Sequence, residues 1–72
     1  MNDLAKRIQT ELYNQIKNGN RPSTAYLGHN ELISILSDRM NRQHIIFMDN
    51  NEKDIFGLRI IEVNLDNHLR IY

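Results

Sequence analysis

The side chains able to do chemistry are few and scattered. His29, His44 and His68 are the only histidines, and no cysteine accompanies them. A zinc site would have to be built from imidazole and carboxylate alone, and the three histidines follow no ligand spacing. His29-Asn30-Glu31 supplies the H-x-E half of a zinc-deaminase motif, but the cysteine pair that completes it is missing. Asp49-Asn50-Asn51-Glu52-Lys53-Asp54 gathers side-chain oxygens as a calcium loop does. Counted from Asp49, however, Lys53, Asp54 and Ile60 fall where an EF-hand needs an oxygen ligand, a glycine and a bidentate glutamate. Gly19, Gly28 and Gly57 are too dispersed for a phosphate loop. Ser23, Ser34 and Ser37 have no nucleophile-elbow turn and no histidine in a recognisable arrangement. The expectation is a protein without enzymatic activity, metal or cofactor.

The cations suggest a different kind of site. Lys+Arg and Asp+Glu both number 9, so the formal net charge is zero. That balance gives no long-range attraction for nucleic acid or an anionic membrane. The close basic pairs are Lys6-Arg7 and Arg39 with Arg42. Strand alternation puts Arg59 and Arg70 on an exposed face with His68 and Tyr72. A basic, aromatic patch of this kind suits a nucleotide-like anion. Arg39, Arg42, Arg59, Arg70 and Tyr72 are therefore the candidate ligand-binding residues.

The elements that must position them follow from periodicity. Leu4, Ile8, Leu12 and Ile16, widened by Ala5 and Tyr13, form one apolar helix face. Asn2 or Asp3 is the expected cap, and Gly19 the expected left-handed stop. Pro22 biases Arg21 toward extended backbone, so a short strand over 23–27 follows and Gly28 ends it. Asn30 is the expected N-cap of a second helix over roughly 30–41, with Glu31 in its first turn and Arg39 and Arg42 near its end. Residues 44–48 read as a strand, 49–54 as a polar turn, and 55–63 as a longer strand that Gly57 bulges. A turn at 65–67 leads to a last strand, His68 to Tyr72, with Leu69 and Ile71 on one face. RPSTAYLGHNELISIL, residues 21–36, thus reads as a strand handing over to a helix at Gly28.

The predicted fold is α+β in the order α-β-α-β-β-β, with two helices on a small, mainly antiparallel sheet of three to four strands. The closely linked final strands are expected to pair antiparallel. The predicted core is Leu4, Ile8, Leu12, Leu32, Ile35, Leu36, Ile46, Leu58, Ile60, Leu69 and Ile71. A single domain of 72 residues buries only about 60% of its unfolded surface. With no disulfide to compensate, self-association as a homodimer is expected. His68, Leu69, Arg70, Ile71 and Tyr72 are the candidate self-association strand, an edge with no element expected after it.

Residues 22–72 also resemble the axial subdomain of tailed-phage major capsid proteins. Ala25-Tyr26-Leu27-Gly28 resembles its first strand, and Asn30-Glu31-Leu32-Ile33-Ser34-Ile35-Leu36 its helix. Phe56 to Val63 resembles its glycine-led strand, and His68 to Tyr72 the last one. The resemblance implies a free-standing miniature of one subdomain, without the spine helix, peripheral domain and extended arm that shell assembly needs.

These readings converge on a small non-enzymatic protein–protein interaction module. Asparagine far outnumbers alanine, which points to an AT-rich gene of a low-GC bacterium or its phage. A phage-encoded accessory protein, or an inhibitor of a host or defence factor, fits that origin. The alternatives are an oligomer that sequesters a nucleotide-like anion, and a virion component related to the capsid subdomain. With no signal peptide and no membrane span, the expected setting is the cytoplasm. The expected partners are a second copy and another protein.

Overall fold

A computed structural model describes residues 4–72. Three helices cover one face of a five-stranded mixed sheet, an α+β architecture. Helix α1 spans Leu4–Lys17, β1 Thr24–Leu27, α2 His29–Ser37, α3 Arg39–Arg42, β2 Ile45–Phe47, β3 Lys53–Ile55, β4 Leu58–Glu62 and β5 Leu69–Ile71. The candidate caps Asn2 and Asp3 lie outside the described residues.

The strand order is β2-β3-β4-β1-β5. The sheet has one strand more than the sequence predicts, and β4 and β5 are not neighbours. Strand β1 lies between them, parallel to β4 (Ala25 beside Ile60) and antiparallel to β5 (Ala25 beside Ile71). The remaining pairs are antiparallel, Ile45 beside Ile55 and Ile55 beside Leu58.

The expected strand over 55–63 is really a hairpin. Phe56 (φ 52°) and Gly57 (φ 80°) form a two-residue turn with both residues left-handed. That is the type I′ geometry whose twist matches its flanking strands. Gly57 is therefore a turn residue, not a bulge. In the preceding hairpin the Met48 N–H donates to Glu52 O (2.7 Å) and closes a turn over Asp49–Asn51. Asn50 and Asn51 also take positive φ there, a conformation asparagine tolerates better than most residues.

The expected continuous helix over 30–41 breaks at Asp38, which is extended (φ −88°, ψ 120°). Its Oδ1 accepts the N–H groups of Met40 (2.8 Å) and Asn41 (3.4 Å) and starts α3. A short carboxylate side chain that satisfies free helix donors competes with helix continuation, and here it wins. At the other end, α2 begins at His29, with Gly28 rather than Asn30 as its N-cap.

The core runs between the two layers. Ile8, Leu27, Ile35, Ile55 and Leu58 are fully buried, each contributing about 1.5–3 kcal/mol by leaving water. Ala25 and Ile45 join them, while Leu12, Leu32, Leu36, Ile60 and Leu69 pack at the rim. Ile46, predicted to be core, is 60% exposed. The register pairs it with Asp54 on the open face, so its neighbour Ile45 is the inward residue. On α1 the apolar stripe is buried only at Leu4, Ala5 and Ile8. Ile16 is 56% and Tyr13 69% exposed. A strict four-residue spacing advances roughly 40° per step around a helix of 3.6 residues per turn, so the stripe rotates off the core. No helix among the described residues is long and apolar enough to cross a membrane.

Candidate interaction site

The register settles which candidate residues share a face. Thr24 pairs with Arg59 and Tyr26 with Arg70. The Thr24–Tyr72 pair exchanges both backbone hydrogen bonds (2.9 Å each). Arg59, Arg70 and Tyr72 therefore lie on the open face of the sheet, opposite its buried side. Tyr26 and Tyr72 meet edge to face, with ring centroids 5.7 Å apart.

The three strand residues share a face as expected, but their charges differ in availability. Arg59 is held by two carboxylates, Glu52 (2.9 Å) and Asp54 (3.0 Å), which spend its charge within the chain. Arg39 and Arg42 belong to α3, in the helical layer. The Arg42 guanidinium sits 5.5 Å from the Phe47 ring centroid and not near Arg70. The five candidate residues thus divide between two layers: Arg59, Arg70 and Tyr72 on the open sheet face, and the Arg39 and Arg42 pair on α3.

Arg70 and Tyr72 line a groove of about 690 Å³ between α1 and β5. Its helical wall is Lys6, Arg7, Thr10, Glu11 and Gln15, and its other wall is Leu69 to Tyr72. This wall is the outer edge of the sheet. Gly28 N–H donates to His68 O (2.9 Å), and Tyr72 bonds Thr24, so residues 68, 70 and 72 turn their backbone toward β1. In an antiparallel ladder the alternate residues face away. The backbone groups of Leu69 and Ile71 therefore point into the groove. One is occupied: Gln15 Nε2 donates to Ile71 O (2.6 Å). Lys6, Arg7 and Arg70 form no ion pair among the described residues, and the acid beside them, Glu11, accepts from Gln15 (3.3 Å). The wall from α1 has no local sequence signal as a site. Lys6-Arg7 is visible as a basic pair, but its placement beside β5 is a tertiary fact.

A second polar cluster ties β1, α2 and the 64–68 loop together. The first N–H groups of α2 donate to loop carbonyls, His29 to Leu65 O (2.8 Å) and Asn30 to Asp66 O (2.9 Å). The His68 N–H donates in turn to the Glu31 carboxylate (2.8 Å). These bonds satisfy helix donors without a capping side chain. His29 Nδ1 contacts the Glu62 carboxylate, and Nε2 lies 3.4 Å from Asn64 Oδ1. The Glu62 hydrogen bond, then that to Asn64, holds the imidazole pKa above its ordinary 6.5. His44 is placed elsewhere, packed on Phe56 with ring centroids 5.2 Å apart. Among the described residues no three metal-ligating side chains come together.

No protein-family model matches the chain, and neither a curated protein nor a solved structure matches it.

Proposed function

We propose that the protein is a small, non-enzymatic protein–protein interaction module that docks its partner along the open edge of β5. The observation that carries this reading is the outward backbone of Leu69 and Ile71 beside the α1 groove. An unpaired strand edge next to a helix is a template for an added strand. The asparagine-rich composition favours a phage or low-GC bacterial origin, and an accessory or inhibitory role toward a host or defence protein in that cytoplasm. Anion sequestration receives less support, because Arg59 already has two acidic partners and Arg39 lies in the other layer.

The test is a pull-down from a low-GC bacterial lysate with the wild type and Leu69→Pro. The Leu69 N–H faces away from β1, so proline removes an edge donor while sparing the ladder. Retention of a partner by the wild type and its loss with Leu69→Pro supports the reading. Equal capture by both removes β5 as the docking element. Native mass spectrometry of the unliganded protein adds a second check. A ring-like assembly points instead to the virion component, and co-purified nucleotide mass to sequestration.

Self-association is a second reading, and it fits the opposite edge better than residues 68–72. Strand β2 is the other edge strand, and its Ile46 and Phe47, with Met48 just after it, are all exposed. Pairing β5 with its own copy would bring two sets of Lys6, Arg7 and Arg70 together, and like charges in apposition are destabilising.

A further inference from the structure

The charge and geometry of the α1–β5 groove specify what kind of segment fits it; this inference rests on the interaction-module reading and adds the partner's chemistry. We infer that the groove takes an extended, acidic peptide segment that adds as a sixth strand along β5. Three features converge on this occupant. The first is the backbone: Leu69 and Ile71 direct their ladder groups outward, and only extended chain can satisfy alternate donors and acceptors at that spacing.

The second is charge. Lys6 and Arg7 on one wall and Arg70 on the other have no acidic partner among the described residues, whereas Arg59 on the same sheet has two. In a protein of zero net charge, three cations against one acidic side chain leave the groove net positive, and it selects carboxylates at close range. Glu11 is the only acidic side chain in the lining, and it accepts from the neutral Gln15 amide.

The third is Gln15. Its side-chain amide donates to Ile71 O (2.6 Å), the bond that an incoming backbone N–H would make. Gln15 stands in for the missing strand at one rung and leaves the Leu69 groups and the Ile71 N–H to be filled. A second copy is the poorer occupant, because it would present the same cations.

The experiment is a selection from a display library of random twelve-residue peptides against the full chain, followed by amide hydrogen exchange with the enriched peptide. The inference expects peptides rich in Asp and Glu alternating with β-formers. It expects new protection at the Leu69 and Ile71 amides. It also expects at least a roughly tenfold loss of affinity in Lys6→Glu/Arg7→Glu, with weaker binding at high salt. Both substituted positions are exposed, so the fold is retained. Enriched peptides without acidic bias, or protection at β2 instead, overturn the groove inference and leave the interaction module standing. Failure to enrich any peptide overturns it too, while the pull-down still decides the module. Protection of Leu69 and Ile71 without peptide, in a dimer, means that a second copy fills the edge and the inference is wrong.

Discussion

At Gly28 a methyl group would meet Glu31 Oε1, the His68 N–H nitrogen and Leu65 O, each at 2.8 Å. At Gly57 it would meet nothing within 4 Å, but φ is +80°. The two glycines are required for different reasons, and substitution separates them. Gly57→Ala should cost about 1–2 kcal/mol through backbone conformation alone, and Gly57→Asn should recover part of it. Gly28→Ala should cost about 1–3 kcal/mol by prising strand, helix and loop apart, and Gly28→Asn should be no better. Urea unfolding of the four variants checks both, and rescue by asparagine at Gly28 would contradict the crowding argument. His29 makes a pH prediction. Its folded pKa is raised by Glu62 and Asn64 above the ordinary 6.5. Its stabilising contribution is thus fully present below 6.5 and lost as pH rises through the raised value. The wild type should melt higher than Glu62→Gln in mild acid and lose that margin in mild alkali. A margin constant across that range would mean that protonated His29 is not its source.

Among the elements, the short α3 has the largest consequences for its size. Asp38 starts it, and the buried Asn41 on it accepts the Ala5 N–H of α1 through Oδ1 (3.1 Å). One broken helix thus supplies a cap for another. Asp38→Ala should cost about 1 kcal/mol and Asn41→Ala about 1–3 kcal/mol. Because both act through α3, the double variant should cost less than the sum. Strict additivity in a denaturant double-mutant cycle would show that α3 forms without the Asp38 cap. The break itself illustrates what could be read in advance. Apolar spacing reveals α1, α2 and β5, and Gly19 ends α1 at φ +89° as expected. Asp38 sits in an uninterrupted helical pattern, so only its competition for the Met40 and Asn41 donors marks the boundary. Phe56 was hidden for a related reason: a bulky aromatic is a poor left-handed residue, and it holds that turn while packing against the core and His44.

For the molecule as a whole, the two sheet edges differ in character: β5 is basic and grooved, β2 apolar and open. If β2 carries self-association, light scattering at high concentration should give a dimer that Phe47→Asp dissociates and Lys6→Glu/Arg7→Glu leaves intact. A monomer under those conditions would rule that edge out. Strand composition foretold the α+β class, and alternation foretold which residues of β5 face outward. The candidate groove was only half legible, Arg70 and Tyr72 from β5 but not Thr10 or Gln15 from α1, because nothing local encodes which helix lies beside which edge. The same holds for the placement of β1. Its partners, Arg59 to Glu62 and Leu69 to Ile71, are all distant in sequence, whereas β2, β3 and β4 form a local meander. Closing such distant contacts is the slow part of folding. On the ribosome, the meander can assemble while β1 waits, its Ala25 and Leu27 uncovered, for residues 69–71 to emerge. Strand β1, interior to the finished sheet, is thus the last of its strands to gain both neighbours, and the nascent chain is most vulnerable to mispairing there.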